Sequence, residues 1–318
     1  IAKFSCAIDI DPKNAKAYNL RGYSKNKIGS YLYAIQDFDK ALNIDQNFVA
    51  AHINKAFAKQ MMGLHQLAID SYSKALEISN KETKAYVGRG LSKEKLDDFS
   101  GSIEDHTEAI QINPNGFQAL SNIATIHMQN KNYELAYKCL KKSFEINSMY
   151  VPTINNLAGY YHKINDAKNA IKFSLKSIEI QPSSALARNQ YAKALVINNQ
   201  PEEAIDLFKK LNEEYPDNND FKVNLSSVYR EVGEFDKANQ ISTEGFKKDY
   251  KNVSYLLGYT KDKKNKLDDS HIDYYDNLLE NENMSYDDRA IICHSFFEYF
   301  KNKKDYKKAG SYLVKGND

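Results

Sequence analysis

The chain has 318 residues, of which 42% are hydrophobic and 27% are charged. Its 44 Lys and Arg against 42 Asp and Glu leave a net charge of +2, which gives no general attraction to nucleic acid. Cys6, Cys139 and Cys293 show no C-x-x-C spacing, so neither a disulfide framework nor a zinc site is predicted, and a reducing compartment is favoured. No apolar run reaches the roughly 18 residues of a membrane helix, so we predict a cytoplasmic chain without membrane insertion.

A spacing of 34 residues organises most of the chain. Steps of this length connect one column of small residues: Ala34, Ala68, Ser102, Ala136, Ala170, Ala204 and Ala238. A second column is small as well: Gly22, Ala56, Gly90, Ala124, Ala158, Ala192 and Ser226. Small side chains let two helices approach closely. The pattern predicts seven helical hairpins in residues 15–252, at 15–48, 49–82, 83–116, 117–150, 151–184, 185–218 and 219–252.

The flanking segments follow the repeat less closely. Residues 1–14 resemble the second half of a partial repeat, so we expect the natural N-terminus to lie further upstream. Residues 253–289 lose the spacing and are predicted to be an irregular helical connector. One helix is predicted there, capped by Asp269 and Ser270, with one apolar face formed by Ile272, Tyr275, Leu278 and Leu279. Residues 290–318 regain repeat character and are predicted to be a truncated repeat.

The first unit resembles a tetratricopeptide repeat, whose period is 34 residues. The resemblance rests on small residues at Gly22, Ala34 and Ala41 and on aromatic residues at Tyr18 and Phe38. It implies an all-α, right-handed superhelical solenoid in which the first helix of each pair lines a concave groove. Residues 267–317 also look like the junction that follows the repeats in some bacterial tetratricopeptide proteins. That second resemblance implies a sulfotransferase domain beyond residue 318.

Motifs for catalysis are absent from the sequence. It contains no G-x-x-x-x-G-K-[ST], G-x-G-x-x-G, H-E-x-x-H or G-x-S-x-G pattern. The seven histidines occur singly on different predicted helices, without the i, i+4 pairing that would place two of them on one face for a metal. We therefore predict a non-enzymatic chain with no cofactor and no metal.

Basic residues recur in the first three repeats. One column holds Arg21, Lys55 and Arg89, and a second, four residues later, holds Lys25, Lys59 and Lys93. These cations could form a stripe for an acidic partner. They could instead pair with Asp37, Asp70 and Asp105 on the second helices. We favour internal pairing, because the acids recur in step with the bases.

The sixth residue of each repeat suggests a binding surface. This column reads Leu20, Asn54, Gly88, Asn122, Asn156, Gln190 and Asn224. In resemblance to peptide-binding tetratricopeptide proteins, an asparagine here would point into the groove. A side-chain amide both donates and accepts hydrogen bonds, so a column of amides can bind a peptide backbone of almost any sequence. The alternative is coincidence in an asparagine-rich chain.

The predicted peptide-binding site also includes neighbouring positions. Asn155 and Asn189 precede two members of the column, and Lys163 and Lys193 make the groove basic. The clamp for a C-terminal carboxylate that some family members carry is not predicted, because only two of its five residue types match. Three functions stay open: a scaffold for a partner protein or extended peptide, the recruiting arm of a larger enzyme such as a sulfotransferase, and a structural spacer.

Overall fold

A computed structural model describes residues 1–281 and 284–316. Residues 282 and 283 of the predicted connector, and residues 317 and 318 of the predicted truncated repeat, lie outside the described part. The described residues form nineteen α-helices and no strand, which confirms the all-α prediction. The chain forms two compact units, Ile1–Tyr160 and Tyr161–Asp318, and each is described by itself.

The helices follow each other at short intervals. The first unit contains α1 Ala2–Ile10, α2 Ala15–Lys27, α3 Tyr31–Ile44, α4 Val49–Met61, α5 His65–Ile78, α6 Thr83–Glu94, α7 Phe99–Ile112, α8 Phe117–Gln129, α9 Tyr133–Ile146 and most of α10 Val151–Lys163. The second unit continues with α11 Ala167–Ile180, α12 Ala185–Ile197, α13 Pro201–Glu214, α14 Asn219–Glu231, α15 Phe235–Lys248, α16 Val253–Lys261, α17 Asp269–Leu279, α18 Tyr286–Asn302 and α19 Tyr306–Lys315. Many consecutive helices pack on each other, as α2 on α3 and α12 on α13, whereas α16 packs on α18 as well as on α15.

Local signals set where the helices begin. The Asn14 side chain accepts a hydrogen bond from the Ala17 backbone N–H at 2.9 Å. The Asp98 carboxylate accepts one from the Gly101 N–H, also at 2.9 Å. Such caps satisfy backbone donors that a helix N-terminus leaves unpaired.

Within each hairpin, the turn places one residue in the left-handed region. These residues have φ between 55° and 81° and recur at the repeat spacing: Gly29, Gly63, Asp97, Lys131, Asn165, Asn199 and Gly233. The repeated backbone turn gives every hairpin the same local geometry.

The small-residue columns allow close packing of the paired helices. A Cβ added to Gly22 would lie 2.6 Å from the Phe38 ring, and one added to Gly90 would lie 2.9 Å from the His106 ring. Ala34 and Ala68 are fully buried. The core therefore runs along the seam between the first and second helices.

The C-terminal part of the second unit contains a helix that the sequence did not predict. Residues 253–261 form α16, which packs on α15, whereas only α17 was expected in this segment. Asp268 caps α17 together with His271, one residue before the expected cap. α16 to α19 share an aromatic core with α15, which we call the C-terminal aromatic cluster: Phe246, Tyr255, Leu256, Tyr259, Tyr275, Leu279, Phe296, Phe300 and Tyr312.

Candidate functional site

Side-chain amides of the sixth-residue column link neighbouring first helices. Asn54 Nδ2 donates to Asn19 Oδ1 at 3.0 Å, between α4 and α2. Asn224 Nδ2 donates to Asn189 Oδ1 at 2.9 Å, between α14 and α12. Both pairs join residues 35 positions apart, so the same contact occurs once in each unit. Part of the predicted column therefore serves to connect repeats.

Asn156 makes a related contact with different partners. Its Nδ2 lies 3.2 Å from Ser121 Oγ and 3.0 Å from Thr125 Oγ1 on α8. Serine takes the place of asparagine in the preceding repeat, and the amide donor is again used inside the protein. The Asn156 N–H groups are consequently less available to a ligand than its Oδ1.

Asn122 and Gln190 have different surroundings. Both are half-buried, and in the described part of the chain neither side chain forms an intrachain hydrogen bond. Each retains the full donor and acceptor capacity of an amide. These two positions are the amides best placed to bind a ligand without loss of an existing contact.

Asn155 and Asn189, which precede two members of the sixth-residue column, are both buried. Asn155 is 8% exposed and Asn189 is 9% exposed. Asn189 acts as the acceptor for Asn224. Both predicted groove residues are therefore buried, and Asn189 orients one member of the sixth-residue column, Asn224.

Gly88 interrupts the column for a steric reason. A Cβ at this position would lie 2.3 Å from Tyr72 Cζ and 2.4 Å from Tyr72 Oη. The Tyr72 hydroxyl donates to Gln60 Oε1 at 3.1 Å. An asparagine cannot replace Gly88 unless the tyrosine ring moves, so the gap follows from packing.

Most of the cations in the two basic columns of the first three repeats are paired inside the protein. Asp37 is buried and accepts contacts from Arg21 and Lys25, both at 2.7 Å. Arg89 and Lys93 surround the buried Asp105 in the same way, at 2.6 and 2.9 Å. The internal-pairing prediction is confirmed for the first and third repeats.

In the second repeat the expected partner Asp70 is wrong, although Lys55 still pairs with an acid on a second helix. Lys55 pairs with Asp39 of the preceding repeat at 2.5 Å, and Lys59 Nζ bonds Ser71 Oγ at 3.0 Å. Asp70 instead accepts a bond from Gln66. A lysine side chain reaches several acceptors at similar distance, and the helix packing decides which of them it meets.

The predicted lysines of the second unit lie in an unusually cationic environment. Lys163 is exposed and Lys193 is half-buried. Burial lowers the pKa of Lys193, and the charge of Lys163 lowers it further, whereas Asp220 acts in the opposite direction. Burial, together with Lys193 and Lys163, lowers the pKa of His162 to about 4.

His162 is a site residue that sequence reasoning treated as ordinary. It occupies the repeat position of Asn26, whose Nδ2 donates to the backbone carbonyl of Asn54 at 3.0 Å. The repeat spacing could have identified this position in the sequence. In the first repeats, the residue 28 positions before a member of the sixth-residue column bonds the backbone carbonyl of that member, as Asn26 does with Asn54 and Gln60 with Gly88.

Within residues 1–281 and 284–316, no group of His, Cys, Asp or Glu has a geometry that could hold a metal ion. In the same residues, no helix is long and apolar enough to cross a membrane.

The repeated hairpins define a helical-repeat solenoid of the kind that displays an extended surface to other molecules. Residues 117–148 and 151–184 match the family model of the tetratricopeptide repeat. These two repeats match the tetratricopeptide pattern, and solved tetratricopeptide structures share the fold of the chain.

Known proteins show the same architecture. A stretch of 95 residues is 32% identical to anaphase-promoting complex subunit 3 of Dictyostelium discoideum, covering 30% of this chain and 10% of that protein. A chain in the crystal structure of the APC/C hetero-tetramer Cut9–Hcn1 superposes with a TM-score of 0.68 and 15% identity, over 80% of this chain and 50% of that one. A tetratricopeptide repeat protein from Parabacteroides merdae gives a TM-score of 0.60 and 16% identity, over 76% and 95% of the two chains. This chain spans a tenth of the curated relative and half of the first structure, so the similarities establish the fold.

Proposed function

We propose that this chain is a non-enzymatic scaffold that binds an extended peptide, or an extended segment of a partner protein, along its first helices. The observation that carries the proposal is the unused hydrogen-bonding capacity of the sixth-residue column. Asn122 and Gln190 keep all of theirs, and the Oδ1 atoms of Asn54, Asn156 and Asn224 accept no intrachain bond in the described residues.

These amide oxygens are also accessible. None of them is among the buried, unpartnered side-chain atoms of the described residues. An extended backbone offers one N–H donor per residue, which matches a row of acceptors spaced along the first helices. Binding through backbone groups would tolerate many ligand sequences, as suits a scaffold.

The relatives support a role in assembly. The curated relative is a subunit of the anaphase-promoting complex, and the first structural neighbour comes from a hetero-tetramer. Both place a similar fold within a multi-protein complex. We infer that this chain likewise holds a protein partner.

The proposal is tested with peptides selected from a random twelve-residue display library. Their affinities for the parent chain and for Asn122→Ala and Gln190→Ala variants are measured by calorimetry. Each substitution removes about 1 kcal/mol of hydrogen bonding between the amide and the peptide. We therefore expect each variant to bind the peptide roughly five- to tenfold more weakly than the parent chain. Both variants should unfold as the parent does, because neither amide has an intrachain partner to lose.

The matched control is Gln111→Ala, which removes an exposed amide from the second helix α7. Its affinity should equal that of the parent. Selection of no peptide, or unchanged affinities in both groove variants, would contradict the proposal. Asn156→Ala is a poorer test, because it also removes contacts with Ser121 and Thr125.

The alternative of a recruiting arm for a sulfotransferase stays a prediction from residues 267–317. In the structure this segment forms α17 to α19, whose aromatic side chains belong to the C-terminal aromatic cluster. Sequencing the gene beyond residue 318 tests the alternative. A phosphate-binding strand-loop-helix further downstream would support it, and a stop codon without one would exclude it.

A further inference from the structure

The first helices of the second unit carry cations that lack carboxylate partners. Lys163 and Lys193 form no ion pair with any described residue, and neither does Arg230. The first unit treats similar residues differently, since Arg21 and Arg89 each bind a buried aspartate. Arg21 and Arg89 therefore stabilise the fold through ion pairs, whereas the charges of Lys163, Lys193 and Arg230 are not neutralised by a carboxylate of the described residues.

Lys193 and His162 are held in a repulsive environment. Lys193 is half-buried, and Lys163 disfavours its charge. The same two lysines disfavour a charge on His162. Asp220 is the acid that acts on Lys193 from the neighbouring helix α14, and it forms no ion pair with it. A negative charge from outside would remove this repulsion.

Arg230 occupies the same repeat position as His162, two repeats later, and Val196 lies at that position between them. Its guanidinium donates to Ser242 Oγ at 3.2 Å, and burial lowers its pKa. Gly258 leaves the space that the guanidinium occupies, because a Cβ there would lie 2.5 Å from an Arg230 nitrogen. Glu231 beside it is exposed and forms no ion pair in the described chain. A guanidinium has five N–H donors, so most of its bonding capacity is unused.

We propose that Lys163, Lys193 and Arg230 form a recognition site for an acidic segment of the partner, rich in Asp and Glu. The inference rests on the proposed function, since the segment would lie along the same first helices. Carboxylates of the ligand would supply the partners that these cations lack, and charge-assisted bonds to Arg and Lys are stronger than neutral ones. The cost of leaving the cations unpaired in the free protein is recovered on binding.

A peptide suits this site better than a nucleic acid. Gln190 and Asn224 lie on the same helices, α12 and α14, as Lys193 and the Asp220–Arg230 stretch. Their amides complement a peptide backbone, and Asp220 would repel a continuous row of phosphates more than separated carboxylates. The net charge of +2 also provides no broad field for nucleic acid.

The test uses the full chain and two fluorescein-labelled peptides, six Glu-Ser repeats and six Gln-Ser repeats, followed by fluorescence anisotropy. We expect the acidic peptide to bind at least tenfold more tightly at low ionic strength, with the preference shrinking as NaCl is added. Lys163→Gln with Lys193→Gln should abolish the preference, and Arg230→Gln should reduce it. A matched double variant, Lys210→Gln with Lys247→Gln, removes two exposed lysines from second helices and should keep the preference.

The outcomes separate this inference from the proposed function. Equal binding of both peptides, or equal losses in the two double variants, overturns the acidic site and leaves the amide groove standing. Tighter binding of a twelve-residue oligothymidylate, or no binding of either peptide, overturns it as well. If the preference for the acidic peptide is lost in the Lys163 and Lys193 double variant but persists in Gln190→Ala, the acidic site is supported and the role of the Gln190 amide is contradicted. Thermal unfolding of Lys193→Gln should occur no earlier than in the parent, because an uncompensated charge has been removed.

Discussion

At the scale of single residues, His106 is the polar side chain most at odds with its surroundings. It is fully buried against Gly90, and neither ring nitrogen has a hydrogen-bond partner. Burial lowers the pKa of His106 to about 4, although the neighbouring Asp105 acts to raise it. The equivalent positions hold Phe38 and Phe208, so the imidazole takes the place of a hydrophobic ring.

We predict that His106 makes stability fall in acid. An unfolded histidine has a pKa of about 6.5, so between that value and about 4 the unfolded chain binds a proton that the folded chain does not. As the pH falls from 6.5 towards 4, the free energy of unfolding therefore decreases by about 3 kcal/mol on account of His106. Above pH 6.5 this loss is absent. Urea unfolding at pH 7 and pH 4.5 measures it.

His106→Phe should unfold at higher urea than the parent at both pH values, with the larger gain at pH 4.5. At pH 7 the gain is about 1–3 kcal/mol, because two unpaired buried nitrogens are replaced by carbon. The exposed His294, changed to Gln, is the control and should retain the pH dependence of the parent. An unchanged dependence in His106→Phe would refute the assignment.

The buried aspartates of the first unit give a second residue-scale prediction. Asp105→Asn leaves Arg89 and Lys93 without their carboxylate. Both cations are about one-fifth exposed, so solvent screens part of the loss, and we expect a cost of about 2 kcal/mol in urea unfolding. Asp39→Asn removes a carboxylate that is 47% exposed and should cost less than about 0.5 kcal/mol. Equal costs would show that burial of the carboxylate is irrelevant.

At the scale of elements, the turn within each hairpin sets the angle at which two helices meet. Glycine supplies the left-handed residue at Gly29, Gly63 and Gly233, and side chains occupy it at the other repeats, as at Asn165. Asparagine tolerates this conformation better than most residues, while a lysine, as at Lys131, bears its full steric cost. The hairpins thus share a geometry that their turn sequences favour unequally.

Gly63→Ala and Gly310→Ala should change stability in opposite directions. A Cβ at either position meets nothing within 4 Å, so packing is unaffected. Gly63 has φ of +75°, where alanine costs about 1 kcal/mol, whereas Gly310 lies in α19, where alanine is favoured by about 0.5–1 kcal/mol. Thermal unfolding of both variants measures the difference, and shifts of the same sign would refute the argument from backbone conformation.

At the scale of the whole molecule, the helices that follow the seventh repeat cover its second helix. Aromatic side chains of α16 to α19 bury Phe246 at the end of α15 in the second unit. Tyr275 Oη bonds the backbone oxygen of Tyr250, and Tyr312 Oη donates to Asp276 at 2.9 Å. The C-terminal aromatic cluster therefore covers the apolar side of α15 within the second unit.

Ending the chain after Lys261 should expose this core. The truncation keeps α16 but removes Tyr275, Phe296 and their neighbours, so we expect increased binding of the dye ANS and aggregation on size-exclusion chromatography. Removing residues 1–11 is the comparison, because α1 buries only Ile8 among its own residues. Similar dye binding by the two truncated chains would contradict a covering role for the cluster.

The sequence by itself determined the helical repeat, because a spacing of 34 residues and its small-residue columns are properties of the chain that any fold must satisfy. It also located the amide column and the internal pairing of Arg21 with Asp37. Only the tertiary structure decided which neighbour each long side chain contacts. Lys55, for example, pairs with Asp39 and not with Asp70. It also decided that the Asn54 and Asn224 donors turn inward, and that Tyr72 excludes an amide at Gly88. Repeat spacing brings several candidate partners within reach, and packing selects one of them.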